Sequence, residues 1–232
     1  MSDRAVLTGF FGWCVRNQFC LVNPVENVEK TKINEPDPAI LSLPEVRNLV
    51  SAAQSYKDGV CLPYVALGLF CAIRPAELAR LSWDDIDLKG RMVTIQGGAA
   101  KKRKRRVVEI SKNAVKLLAP HASNKTPIRG KNWRRDFDAV KRASGTLTWR
   151  NGTESKVGKA DLMRHTGVSY HLAFHKHEGL TATWAGNSPN VLHSHYKGLV
   201  KKAADAKAFW AIRPQATGKV GKGKIIALEK AA

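Results

Sequence analysis

Acidic side chains are scarce in this chain. Its 232 residues carry 19 Asp plus Glu against 39 Lys plus Arg, a formal net charge of +20. Long apolar runs are missing too: no stretch of about 18 consecutive apolar residues occurs, which argues against a helical membrane span. The start, Met1-Ser2-Asp3-Arg4, lacks a charged region followed by an apolar stretch and does not read as a secretory signal. A cytoplasmic protein is expected. The four cysteines, Cys14, Cys20, Cys61 and Cys71, form no CxxC pair and sit among apolar neighbours, a pattern of buried reduced thiols rather than of a disulfide frame or zinc site. No internal repeat is visible. What is present, 44% hydrophobic residues, suffices for the core of one large domain and excludes disorder throughout.

The charge is unevenly placed. Residues 1–100 hold 10 basic and 11 acidic side chains, whereas residues 101–232 hold 29 and 8, so the excess lies in the second part. A basic surface on an ordinary globular composition suits a polyanion, because each Lys or Arg that meets a phosphate releases condensed counterions. Charge alone also fits a solvated face or acidic lipid, and motifs decide between them.

Along the chain, Leu7, Phe10, Phe11, Cys14 and Val15 recur at helical spacing and predict a helix over 5–22, ended before Asn23-Pro24. Residues 30–38 are polar with two prolines and read as a connector. The expected organisation is therefore 1–34 as one helix plus linker, 35–214 as the main domain, and 215–232 as a flexible basic tail ending near the apolar Ile225-Ile226-Ala227-Leu228. Pro44 opens a helix with Val46, Leu49, Val50 and Ala53 on its apolar face. Residues 65–73 are apolar all round and predict a buried helix, and Pro75 starts another, leaving Arg74 at the junction. Met92-Val93-Thr94-Ile95 and Val107-Val108-Glu109-Ile110 flank Gly97-Gly98 and a basic run, which predicts a β-hairpin with a cationic tip. Trp133, Phe137 and Val140 mark an amphipathic helix whose other faces carry Arg134 and Arg135. Residues 146–159 read as loop or weak hairpin. Helices over 162–175 and around 180–185 follow, then one opened by Ser188-Pro189 that reaches His195-Tyr196. Fold class α+β, mainly helical with a small antiparallel sheet, is expected.

Four segments, in order, resemble the tyrosine recombinases, or phage-type integrases. Ala72-Ile73-Arg74-Pro75-Ala76-Glu77-Leu78, trailed by Trp83-Asp84-Asp85-Ile86-Asp87, is similar to that family's first-arginine box. The hairpin running through Lys101, Lys102, Arg103, Lys104, Arg105 and Arg106 is similar to the one carrying its catalytic lysine. Leu162-Met163-Arg164-His165-Thr166 resembles the H-x-x-R-H box, and Gly186-Asn187-Ser188-Pro189 leads to His195-Tyr196 at the family's spacing. The segment 208–214 also looks like the close of a bacterial branch of these integrases. The resemblance implies the catalytic-domain fold, cleavage and religation of double-stranded DNA through a 3′-phosphotyrosyl link, four protomers on paired DNA sites, nucleoid association, and no metal or other cofactor. It also implies a complete N-terminal DNA-binding domain, of which residues 1–34 look like the last helix only.

The side chains suit that chemistry. Tyr196 is the candidate nucleophile, a phenol competent only beside cations or a base. Arg74 and Arg164 present planar forks of donors for the two non-bridging phosphate oxygens as charge builds in the transition state. A lysine on the hairpin tip, Lys101 first and Lys102 or Lys104 in reserve, is the candidate general acid for the departing 5′ oxygen. Glu77 is expected to brace the first arginine, and His165 to pack or to contact phosphate. Lys102, Arg103, Lys104, Arg105, Arg106, Arg134 and Arg135 are the expected DNA-binding surface. Two positions depart from the family pattern: Asp161 stands where the box begins with histidine, and Asn187 stands in place of the His or Trp nine residues before the tyrosine. Both stay in the candidate catalytic set, Asp161 to accept the tyrosine proton if its pKa is raised and Asn187 to hydrogen-bond the phosphate; with the short N-terminal region they are also the features on the side of the alternative, a truncated or inactive integrase acting as a DNA-binding module. A type IB topoisomerase shares the nucleophile chemistry, but the integrase-like boxes argue against it. His171, His175 and His177 lie at helical spacing without acidic partners, so a metal site there is the minor reading.

Overall fold

The computed structural model of the protein describes residues 3–29, 38–97, 105–123, 126–145 and 161–215. Contacts divide the chain into two units, Met1–Pro36 and Asp37–Ala232. In the first, helix α1 (Asp3–Arg16) ends six residues earlier than its apolar pattern suggested. The reason is a backbone cap: Gln18 turns left-handed at φ 63°, the Phe19 N–H reaches the Cys14 carbonyl at 2.9 Å, and Gln18 N–H reaches Val15 at 3.1 Å. The chain then folds back along the helix. Asn23 donates to the Thr8 carbonyl at 3.2 Å, and Arg4 reaches the carbonyls of Val25 and Val28.

The second unit runs α2 (Leu43–Ser55), a 3-10 turn (Tyr56–Gly59), α3 (Leu62–Phe70), the short α4 (Pro75–Leu78), strands β1 (Ile86–Asp87), β2 (Met92–Ile95) and β3 (Arg106–Glu109), then α5 (Lys112–Ser123), α6 (Trp133–Ala143), α7 (Leu162–His175), α8 (Glu178–Ala185), α9 (Pro189–Tyr196) and α10 (Ala203–Trp210). The mainly helical α+β architecture is as expected. The strands form one antiparallel sheet in the order β1-β2-β3, with buried Val93 opposite buried Val108. Two helices were not anticipated. Pro120 lies inside α5 and masks its period. In α10 only Ala206 and Phe209 are buried, so its stability comes from docking: the Phe209 ring stacks on Tyr170 at 4.4 Å and meets Phe70 at 4.8 Å. The segment 146–159 lies outside the described residues. No helix of the described residues is long and apolar enough to cross a membrane. Three of the four free cysteines, Cys14, Cys61 and Cys71, are buried, and Cys20 is half-buried.

Helix α3 is the centre of the unit. All nine of its residues are buried, and α2, α5 and α7 pack around it. Its contact with α7 is set by glycine: a Cβ on Gly167 would collide with the Leu69 carbonyl oxygen. That close approach fixes the depth at which α7 delivers Arg164 and His165. Gly167→Ala is therefore expected to lower the unfolding free energy by about 1–3 kcal/mol through overpacking, read as a lower denaturant midpoint, although alanine is the better helix former.

Candidate active site

Arg74 stands where the sequence put it, at the N-cap of α4, in extended conformation with Pro75 opening the first turn. The N3 residue, Glu77, reaches back and accepts the Arg74 backbone N–H at 3.0 Å. Its carboxylate does more than cap. It also accepts from Arg74 Nη1 at 3.2 Å and, through both oxygens, from Arg106 Nη1 and Nη2 at 2.8 Å each. Glu77 is only 6% exposed. Burial alone raises its pKa, but the Arg106 fork, the Arg74 N–H and the charges of both arginines outweigh that and hold it at about 2.

Arg106 therefore departs from its expected place on a DNA-binding tip. Its side chain, 18% exposed, lies inward from β3 and spends its fork on Glu77, because a buried carboxylate needs a bidentate cation more than the solvent does. The basic run reads as uniform, yet its last member is part of the core of the site. Arg105 just ahead of β3 is exposed, as are Arg134 and Arg135 on α6, where Arg135 lies 3.6 Å from Asp136. Lys101, Lys102, Arg103 and Lys104 lie outside the described residues.

Arg164 projects from the first turn of α7 and is 3% exposed. Nη1 donates to the Ala72 carbonyl; Nη2 donates to the Ala185 carbonyl at 2.6 Å and to Asn187 Oδ1 at 2.8 Å. The Ala72 carbonyl is aimed by a left-handed turn between α3 and α4, with Ala72 at φ 48°, a strain of about 1–3 kcal/mol for a residue with a Cβ. Burial, then the neighbouring Arg74 and Arg106, pull the Arg164 pKa down to about 10, so it stays charged at neutral pH. Arg74 Nη2 donates to the Gly186 carbonyl at 3.0 Å and to the same Asn187 Oδ1 at 3.2 Å. One amide oxygen thus ties the two arginines together. Asn187 is held in turn by the cap of α8, where Gly186 is left-handed at φ 65° and Asn187 N–H reaches Ala182 at 3.0 Å. A Cβ at Gly186 would press on Arg106 Nε at 2.9 Å.

Tyr196 closes α9, 5% exposed, with its hydroxyl 2.7 Å from His165 Nδ1. Burial raises the phenol pKa above 10 against the pull of Arg164, while Asp161 adds to the rise. Burial also lowers His165 below 6.5, Asp161 opposing and Arg164 and His195 reinforcing. At neutral pH the pair is a protonated phenol beside a neutral imidazole, so the hydroxyl donates to Nδ1 and the ring proton sits on Nε2. Asp161 is at the N-cap of α7 and its carbonyl accepts the His165 N–H at 2.7 Å. The sequence missed two features: the carbonyls of Ala72, Ala185 and Gly186 that orient the arginines, which no side-chain pattern encodes, and the direct pairing of His165 with Tyr196. His171 bonds Thr181 at 2.8 Å and stacks on Trp184, and no group of three metal-ligating side chains occurs among the described residues.

Comparisons with known proteins bear on the fold and on similarity to a family. Residues 40–143 match the Phage integrase family; Arg74, Glu77 and Arg106 lie within the match, and Arg164, His165, Asn187 and Tyr196 beyond it. The tyrosine recombinase XerC of Thermodesulfovibrio yellowstonii is 29% identical over 127 residues, 54% of this chain and 41% of that protein. The chain matches less than half the length of that relative and of the Chlamydia trachomatis XerC proteins. Among solved structures, XerA recombinase superposes with TM-score 0.53 at 19% identity over 87% of this chain and 72% of its own. A lambda integrase fragment, residues 75–356 bound to DNA, gives 0.60 at 14% identity over 84% and 73%. The fold is that of a tyrosine recombinase catalytic domain. The family match covers less than half of the chain, and with these relatives it stands as a similarity to the phage integrases and tyrosine recombinases.

The depressed Glu77 pKa has a stability consequence. The group binds a proton less readily folded than unfolded, so its contribution is complete above its ordinary value of 4.5 and is lost as pH falls toward about 2. The stability gap between wild type and Glu77→Gln, measured by denaturant unfolding, is expected to be wide at pH 6 and to narrow steadily between pH 4.5 and 2.

Proposed function

We propose that the chain is the catalytic part of a site-specific DNA recombinase that cleaves and rejoins double-stranded DNA through a 3′-phosphotyrosyl intermediate. The observation that carries this reading is the Tyr196 hydroxyl set on His165 Nδ1 beside two arginines that share the Asn187 oxygen. Tyr196 attacks the phosphorus and its proton passes to His165. The bond to the 5′ oxygen breaks, and that oxygen leaves with a proton from a hairpin lysine, Lys101 first. Arg74 and Arg164 take the non-bridging oxygens. Asp161 acts through charge on the pair and Asn187 as the tie between the arginines, which answers the two departures from the family pattern: neither an Asp nor an Asn needs to accept the proton if His165 does. Lys102, Arg103, Lys104 and Arg105, with Arg134 and Arg135, supply phosphate contacts outside the centre. Residues 1–34 are read as the last helix of a second DNA-gripping domain, 35–214 as the catalytic domain and 215–232 as a basic tail. Four protomers on paired sites, nucleoid-associated in the cytoplasm, follow from family analogy.

Two outcomes test the chemistry. On a nicked duplex substrate, or by relaxation of supercoiled plasmid, wild type is expected to give a covalent protein–DNA adduct on a denaturing gel and Tyr196→Phe none, with DNA binding kept. Binding without adduct from either protein, even with a complete N-terminal domain restored, would support the inactive-module reading instead. His165→Ala is expected to slow adduct formation by roughly 10²–10⁴-fold. The wild-type rate should be level above pH 6.5 and fall below the lowered His165 pKa, where the imidazole is already protonated, and this acid limb should be absent from the His165→Ala profile.

A further inference from the structure

The carboxylate of Glu77 is shared unevenly. Arg106 Nη1 and Nη2 donate to Oε1 and Oε2 at 2.8 Å each, a planar fork on a planar acceptor, whereas the Arg74 side chain reaches Oε1 through Nη1 alone, at 3.2 Å. Burial raises the Glu77 pKa, and first among the groups that oppose it is the Arg106 fork, ahead of the Arg74 backbone N–H and of the charge on either guanidinium. Arg106 therefore holds the carboxylate, and the Arg74 guanidinium touches it only once. The other terminal nitrogen of Arg74, Nη2, is turned to the Gly186 carbonyl at 3.0 Å and to Asn187 Oδ1 at 3.2 Å, the same oxygen to which Arg164 donates.

The fit around Arg106 is tight. Its side chain leaves β3 at the residue opposite Ile95 and passes against Gly186, where a Cβ would come within 2.9 Å of Nε and 3.0 Å of Cδ. Nε is buried without a hydrogen-bond partner, an unfavourable state that this residue accepts while both ends of its fork are spent on Glu77. The Glu77 side chain is 5% exposed and cannot turn to solvent for a replacement. Were Arg106 lost, the cation left in contact with it would be Arg74. A buried carboxylate deprived of one partner takes the next, and arginine and carboxylate pair most strongly through two parallel bonds.

We propose that Arg106 is a positioning residue for Arg74: by occupying both oxygens of Glu77 it keeps that carboxylate from drawing Arg74 into a two-point pair, and so leaves Arg74 beside Arg164 on the Asn187 oxygen. Charge works in the same direction. Three arginines and one carboxylate leave two positive charges in the cluster. Without Arg106 one remains, and removing the Glu77 charge as well restores two. As a statement about the rate of DNA cleavage the inference rests on the function proposed above; as a statement about the conformation of Arg74 it does not.

The test has two arms. A crystal structure of Arg106→Met, which keeps the apolar stem and removes the fork, is expected to show Arg74 with both terminal nitrogens on Glu77 and its bonds to Gly186 and Asn187 broken. In single-turnover adduct formation on a nicked duplex, Arg106→Met should be slower than wild type by roughly tenfold or more with DNA binding kept. Adding Glu77→Gln to Arg106→Met should then speed the reaction by about threefold or more over Arg106→Met alone. That reversal separates release of Arg74 from loss of structure, because two structural losses would add. Arg106→Lys keeps the charge but cannot fork; it should show the same relief by Glu77→Gln and takes the place of Arg106→Met in both arms if that variant does not fold. Arg74 unmoved in the crystal, or a double variant no faster than the single one while wild type forms adduct, would overturn the proposal. No adduct from wild type would overturn the function proposed above, and the position of Arg74 in the crystal would then decide this inference by itself.

Discussion

One buried carboxylate between two guanidinium groups holds the site together. Glu77 accepts from Arg74 and Arg106 at once and offsets one of their two charges, which lowers the repulsion among three arginines gathered around one point. The cluster keeps a net positive charge, and under the proposed function it is fixed before any phosphodiester arrives. Preorganisation of this kind removes the cost of assembling cations during the reaction. The Asn187 amide completes the arrangement on the other side, since its single oxygen accepts from Arg74 and Arg164 together.

The fold is subordinate to that arrangement. The wholly buried α3 ends in a strained turn at Ala72, whose carbonyl takes an Arg164 donor, and the next turn sets Arg74 at the mouth of α4. Helix α7 reaches its depth only because Gly167 lets it rest on the backbone of α3. Helix α8 stops at Gly186, and the residue after the stop is Asn187. Each helix end thus places one member of the site. The tyrosine arrives last, on α9, against the imidazole that α7 already holds.

Much of this was legible in the sequence. Apolar periodicity located α2, α6 and α7, β-branched runs located β2 and β3, and the Pro75 and Ser188-Pro189 signals located the starts of α4 and α9. The residues of the centre, Arg74, Glu77, Arg164, His165, Asn187 and Tyr196, were visible as separate boxes. What was hidden depended on contacts between elements. Nothing in a run of six basic residues distinguishes Arg106, turned inward to Glu77, from exposed Arg105. Pro120 concealed α5, α10 is helical because of what Phe209 packs on, and α1 ended early through a backbone cap at Gln18. The replacement of the box's first histidine by Asp161 read as a loss until His165, four residues on, lay against the tyrosine hydroxyl.

The central claim is that the arginines serve the negative charge of the phosphate. Its most direct test compares single-turnover adduct formation by wild type and Arg164→Ala on duplexes that differ only at the scissile link, a natural phosphate or an uncharged methylphosphonate. The account predicts a severe loss for Arg164→Ala on the phosphate and a much smaller one on the methylphosphonate, where there is less charge to stabilise. An equal loss on both would contradict it, and would assign Arg164 to holding the fold rather than to the transition state.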